Sequence, residues 1–99
     1  MNQEKCYCVY KHTNKINGKV YIGITSRDAD KRWGGTGWGY LKQPYFHNAI
    51  KKYGWDNFEH EIIETNLTKE EAEELEVKFI SEYCSSDKEY GYNLTKGGY

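Results

Sequence analysis

Asn17-Gly18 stands between two runs, CYCVYKHT at 6–13 and KVYIGIT at 19–25, that are rich in aromatic and β-branched residues. Such a dipeptide is a strong turn signal, and runs of this composition on either side of it fold back as an antiparallel hairpin. Side chains alternate along a strand, so Tyr10 shares a face with Cys6 and Cys8, and Tyr21 shares one with Gly23. Two tyrosines on neighbouring strands can thus converge on one surface. With 99 residues the chain has material for one core and not two, and 1–99 reads as a single domain.

The rest of the pattern adds helices and one more strand. Ser26 or Asp28 can cap a short helix that places Arg32 in its last turn. Gly34 to Tyr40 contains four glycines and reads as a loop with Trp38 and Tyr40 exposed. After Pro44, apolar residues at Phe46, Ala49, Ile50 and Tyr53 mark a second helix that Gly54 ends. Asn57 to Glu64 alternates Phe58, His60 and Ile62 against charged neighbours, as a strand does. Thr68 with Glu71 three residues on makes a capping box, opening a third helix that runs to about Tyr83. The tail from Gly91 is irregular, with a short strand in its middle. The order ββααβα defines an α+β domain, a three-stranded antiparallel β-sheet flanked by helices.

The net charge of −1 conceals a division along the chain. Residues 1–55 carry ten Lys or Arg against three acids, a balance of +7, and residues 56–99 carry four against twelve, a balance of −8. A half of +7 suits a phosphate-facing surface, although two solvated faces of an ordinary domain would show the same split. No stretch approaches the roughly 18 apolar residues that span a bilayer, and the N-terminus lacks a basic-then-apolar signal, so the expectation is a cytoplasmic protein with no membrane partner. Cys6, Cys8 and Cys84 read as reduced thiols, since no fourth ligand stands at zinc spacing.

On a helical wheel of about 100° per residue, Glu76 falls inside the apolar stripe formed by Ala72, Leu75, Phe79, Ile80 and Tyr83, while the helix's other glutamates fall at or beyond its edges. A carboxylate aimed at a core needs a partner: a metal, a buried cation, or a stripe that stops short of it.

Cys8-Val9-Tyr10, ten residues, Tyr21-Ile22-Gly23, then Lys31-Arg32-Trp33, Glu76-Val77-Lys78-Phe79-Ile80 and Gly91-Tyr92-Asn93-Leu94 together resemble the ordered motifs of the GIY-YIG nucleases, notably their phage and homing branch. The resemblance spans nearly the whole chain and implies a GIY-YIG-like fold and a metal-dependent DNA endonuclease. It implies Tyr10 and Tyr21 as the motif tyrosines, Arg32 as phosphate ligand, Glu76 as metal ligand and Asn93 as the asparagine near the C-terminus. Cys8 stands where the family's first motif usually has glycine. The spacing from Tyr21 to Arg32 is one residue longer than the homing-type pattern, which keeps Arg27 in view.

The residue types suit phosphodiester hydrolysis. Glu76 would carry Mg²⁺ or Mn²⁺ as Lewis acid, Arg32 would grip the non-bridging oxygens, and Tyr10, directly or through Tyr21, would activate water. Asn93 suits fixing the tail and orienting Glu76 or a phosphate. A phenol of pKa near 10 is only about 0.1% ionised at pH 7, so Tyr10 is expected to have its pKa lowered by Arg32, Lys31, Lys19 or the metal. Lys15, Lys19, Arg27, Lys31, Lys42, Lys51 and Lys52 are the candidate DNA-phosphate contacts, with Trp38 and Tyr40 as base-stacking rings. Nothing reads a specific sequence; the resemblance implies that such a module is commonly joined to a separate DNA-binding segment, so the chain is expected to be either a stand-alone module or the catalytic part of a longer parent protein with an additional DNA-binding domain. A module that binds nucleic acid or protein with the same fold and no turnover is the competing expectation.

Overall fold

The computed structural model describes residues 5–26, 28–34, 37–41 and 43–94. Arg27, Lys42, the side chain of Trp38 and the tail's Gly97-Gly98 lie outside the described residues. The elements follow the anticipated order: β1 (Tyr7–Asn14), β2 (Val20–Thr25), α1 (Ala29–Trp33), α2 (Pro44–Tyr53), β3 (Phe58–Leu67) and α3 (Lys69–Glu82). Single 3-10 turns at Trp38–Tyr40 and Trp55–Asn57 bracket α2. The sheet order is β2-β1-β3 with both pairings antiparallel, so the first strand is central.

The hairpin closes through a loop longer than two residues. Asn14 N–H donates to the Lys19 carbonyl and Gly18 N–H to the Asn14 carbonyl, each at 2.8 Å, with Gly18 at φ +78°. The two asparagine side chains complete it: Asn14 Oδ1 accepts from Ile16 N–H and Asn17 Oδ1 from Lys19 N–H.

The two faces of β1 bury different cores. Cys8 and Tyr10 join Tyr21, Trp33, Tyr40, Phe46, Ile50 and Phe58 beneath α1 and α2. Val9 joins Val20, Ile22, Ala72 and Ile80 beneath α3. The third strand departs from the anticipated alternation. It runs on to Leu67, and between the pairs Tyr10↔Ile62 and Val9↔Glu64 it carries an extra residue. That bulge leaves Ile62 47% exposed and turns Ile63 into the α3-side core.

The helix ends follow local chemistry. Pro44 opens α2, and Gly54 at φ +88° closes it with its N–H on the Ile50 carbonyl. Thr68 caps α3 in a full capping box: its Oγ1 accepts from Glu71 N–H at 3.2 Å, and Glu71 Oε1 accepts from Thr68 N–H at 2.9 Å. The tail then returns to the outer edge of β2 as an isolated parallel bridge, Val20↔Gly91. No helix among the described residues is long and apolar enough to cross a membrane. Thr68→Ala removes an N-cap acceptor and is expected to cost about 1 kcal/mol. Urea denaturation of the two proteins measures it, and coincident midpoints would show that the box does not hold α3.

Candidate active site

Tyr10 and Gly23 face one another across the β1–β2 pairing. A Cβ on residue 23 would stand 2.5 Å from the Tyr10 hydroxyl oxygen and 2.6 Å from the ring carbon that bears it. The space that glycine vacates is therefore occupied by the phenol, which lies across β2 and is 1% exposed. Two register positions away, on the same face, Tyr21 pairs with His12. Its ring stacks on Phe46 at 4.4 Å and 4°, and its hydroxyl donates to Gln43 Oε1 at 2.9 Å.

Arg32 reaches this face from the last turn of α1. Its guanidinium lies over the Tyr40 ring, 4.6 Å from the centroid, and Nη1 donates to the Gly39 carbonyl at 2.6 Å. The Gly-rich segment was expected to offer Tyr40 as an exposed stacking ring. Instead Tyr40 is wholly buried, its hydroxyl 2.7 Å from His12 Nε2.

Glu76 is 3% exposed, on the buried stripe of α3 with Ala72 and Ile80, as the helical wheel requires. Its charge is the last and smallest of the influences on the Tyr10 phenol, tending to raise its pKa. Asn93 acts at a third point. Its Nδ2 donates to the Ile22 carbonyl at 2.8 Å, and its Oδ1 accepts from Ile22 N–H at 2.9 Å and from Ser85 Oγ at 2.7 Å. The tail is thereby clamped to the residue between Tyr21 and Gly23.

The chain matches the GIY-YIG catalytic domain profile over residues 6–93. The chain belongs to the GIY-YIG family. It is 43% identical over 90 residues to the segE protein of Enterobacteria phage T4 and 38% identical over 93 residues to segB of the same phage, both named as endonucleases. Those alignments cover 91% and 93% of this chain but 41% and 39% of the relatives, so the chain spans about two fifths of their length. Its fold is also that of the catalytic domain of the homing endonuclease I-TevI, with TM-score 0.72, 29% identity, and 90% of this chain and 98% of that one covered. A mutant of the same intron endonuclease domain gives 0.76 at 26% identity, with coverage of 94% and 97%.

Within this GIY-YIG domain the residues that sequence reasoning passed over are two histidines. His12 follows Tyr10 by two in β1, is fully buried, and places Nδ1 3.0 Å from His60 Nδ1 of β3. It lies amid the rings of Trp33 at 4.8 Å, Tyr10 at 5.1 Å and Trp55 at 5.1 Å. The same alternation that placed Tyr10 on this face placed His12 there.

Electrostatics correct one expectation. Burial pushes the Tyr10 phenol above its ordinary value, outweighing the Arg32 charge and the hydrogen bond from Tyr40 that pull it down. The cation is where it was anticipated, but desolvation wins. Tyr40 is pushed well above the phenol value, again chiefly by burial, and Cys8 is raised for the same reason. Burial lowers His12 well below the usual imidazole value, reinforced by His60 and Arg32, and it lowers His60 less.

The basic residues divide by location. Lys19 and Lys52 line one surface hollow with Asn48 and Tyr53, while Lys31 and Lys51 are exposed on α1 and α2. Among the described residues no three His, Cys, Asp or Glu cluster as a metal site.

A histidine with a lowered folded pKa binds fewer protons folded than unfolded below its unfolded value of about 6.5. Its stabilising contribution is complete above that pH and declines as pH falls below it. Between about pH 7.5 and 5.5 the urea midpoint should drop, with His12 contributing at most about 1.4 kcal/mol per pH unit and the half-exposed His60 less. A midpoint that holds constant over this range would contradict the burial of neutral imidazole.

Proposed function

We propose that this GIY-YIG domain is the catalytic module of a divalent-metal-dependent DNA endonuclease, probing phosphates with the side of the sheet that carries Tyr10, Tyr21 and Arg32. The observation that carries the reading is Glu76, a carboxylate 3% exposed on the apolar stripe of α3. A single carboxylate fits a hard ion that keeps several waters and takes phosphate oxygens, as Mg²⁺ or Mn²⁺ does. Such an ion would supply Lewis acidity at the scissile phosphate and the leaving 3′ oxygen.

The chain's own groups divide the remaining work. Arg32, braced by Tyr40 and the Gly39 carbonyl, presents a planar fork to the non-bridging oxygens. Tyr10 is the base for the attacking water, and Tyr21, tethered to Gln43, orients that water. Asn93 holds β2 and so fixes the spacing of Tyr21 from Gly23. Lys19, Lys31, Lys51 and Lys52 contact flanking phosphates, joined by Arg27. Because the chain spans about two fifths of segE and segB, a further DNA-binding segment in a longer parent protein is part of this proposal.

The buried, poorly acidic Tyr10 favours a second reading, a module that binds DNA without cutting it. Supercoiled plasmid incubated with Mg²⁺ separates the two. Cleavage is expected, to be lost on chelation or with Glu76→Gln and slowed about 10²-fold with Tyr10→Phe. Salt-sensitive binding without cleavage, or cleavage undiminished by Glu76→Gln, would overturn the endonuclease mechanism.

A further inference from the structure

Tyr45, Lys52 and Tyr53 stand at i, i+7 and i+8 on α2, a spacing that puts them on one helical face. With Asn17 and Lys19 of the hairpin and Tyr92 of the tail they line a hollow of about 230 Å³. That is below the roughly 300 Å³ at which small-molecule sites begin, and ample for one phosphate with its waters at about 30 Å³ per water. Among the described residues that line it are two lysines and no carboxylate. Neither lysine is ion-paired among the described residues. Each ammonium stands over a ring of the wall instead, Lys19 Nζ 5.9 Å from the Tyr92 centroid and Lys52 Nζ 5.2 Å from that of Tyr53.

The Tyr92 hydroxyl is a second, independent sign. Asn14 Oδ1 and Asn17 Oδ1 accept the backbone N–H groups of Ile16 and Lys19, each at 2.9 Å, which fixes both amides with Nδ2 free to donate elsewhere. Both Nδ2 groups donate to the Tyr92 oxygen, at 3.0 and 3.3 Å. A hydroxyl accepts two bonds and donates one, so this oxygen's lone pairs are filled and its proton has no acceptor among the described residues. Tyr92 is 3% exposed, and its ring is packed by Tyr45 at 5.6 Å and Phe46 at 5.3 Å. A buried donor of this kind calls for an acceptor in the hollow it lines. Two ammoniums on the same walls make that acceptor an anion.

We propose that Lys19, Lys52 and Tyr92 form a subsite for one backbone phosphate of the DNA strand, two charged donors and one neutral donor converging on its non-bridging oxygens. The proposal rests on DNA as the substrate and assigns both lysines to the same phosphate. Its place along the strand follows from α2. Gln43, the N-cap residue of that helix, holds the Tyr21 hydroxyl. At about 1.5 Å per residue Lys52 stands roughly 13 Å along the axis from Gln43, or about four nucleotide rises of 3.4 Å. The tail ties the hollow to β2 as well: Tyr92 N–H donates to the Val20 carbonyl at 2.9 Å, and the next residue, Asn93, grips Ile22. A strand lying across Tyr21 and Arg32 passes the hollow within a few nucleotides, so the occupant is a phosphodiester of that strand, and seating it sets the strand's register across Tyr21.

Binding of a 3′-labelled duplex without 5′ phosphates, followed by fluorescence anisotropy in chelator, tests the subsite with cleavage playing no part. Losing one phosphate contact lowers the slope of log affinity against log salt by about 0.9, and losing two lowers it by about 1.8. The double variant Lys19→Ala, Lys52→Ala is expected to lose the first amount. Tyr92→Phe keeps the ring and should weaken binding about tenfold with the slope unchanged. Thermal unfolding should show both variants folded. Inorganic phosphate titrated into the unchanged protein should shift the Asn17 and Lys19 NMR signals saturably, and should not do so in the double variant. A slope loss near zero or near 1.8, Tyr92→Phe folded and binding like the unchanged protein, or no shift with phosphate would each overturn the subsite. With a 5′-phosphorylated duplex the double variant should lose the same amount; a loss seen only with that duplex would make the occupant a terminal phosphate and overturn its assignment to the backbone. If the unchanged protein binds no duplex, the DNA reading fails by itself, and the phosphate titration still decides whether the hollow takes a phosphate.

Discussion

The flat approach of the Tyr10 ring to the backbone of Gly23 sets the terms for the rest of the domain. Any side chain at residue 23 would occupy the volume of that phenol, so the pairing Tyr10↔Gly23 admits no neighbouring register. A slip of one residue would also send Tyr10 and His12 into the α3 core and Val9 into the aromatic one. With β2 held in this way, its outer edge becomes the place where the tail docks. Asn93 takes both backbone groups of Ile22, and Val20 pairs with Gly91, so the edge strand presents less free backbone to other chains.

The aromatic core shows how a chain with only 37% hydrophobic residues fills the space beneath two helices. Its rings carry polar atoms, and those atoms are matched inside the fold. Tyr92 receives Asn14 at 3.0 Å, Tyr21 holds Gln43, and Tyr40 meets His12. The indole N–H of Trp33 is the buried side-chain group without an acceptor among the described residues. A core built on hydroxyls and imidazoles costs more to assemble than one of leucines, because each polar atom must be met as it is desolvated. It also supplies chemistry that leucines cannot.

Features set by nearest neighbours were legible in the sequence. Asn17-Gly18, Pro44 with Gly54, and Thr68 with Glu71 each specify a turn or helix end through a few adjacent residues, and the structure has all three. Glu76 was legible because helical periodicity alone places it among apolar residues. What was hidden depends on partners far along the chain. The bulge opposite Val9 and Tyr10 arises from pairing with β3, so alternation within β3 could not reveal it. Glycines around Tyr40 indicate a loop but not that the loop folds its tyrosine inward onto His12. The direction of the Tyr10 shift turns on burial against one guanidinium, a competition that only assembled geometry decides. His12 was accessible to the same alternation argument as Tyr10. It gains meaning only beside His60, 48 positions away.

The opposed charges of the two halves acquire a geometry once the sheet is in place. Lys31, Lys51 and Lys52 ride on α1 and α2, over the core that holds Tyr10, Tyr21 and Tyr40, and Lys19 opens onto the same hollow as Lys52. Exposed Glu70, Glu74 and Glu82 lie on α3, which covers the other core. The domain therefore carries a charge moment across its sheet, and a polyanion approaching it is drawn to one side and repelled by the other. Glu76 alone among the glutamates of α3 is buried, so its charge adds least to the repulsive surface and most to the interior next to β2. Separating that carboxylate from its neighbours by one helical face lets the same helix repel a polyanion outside and keep one carboxylate inside.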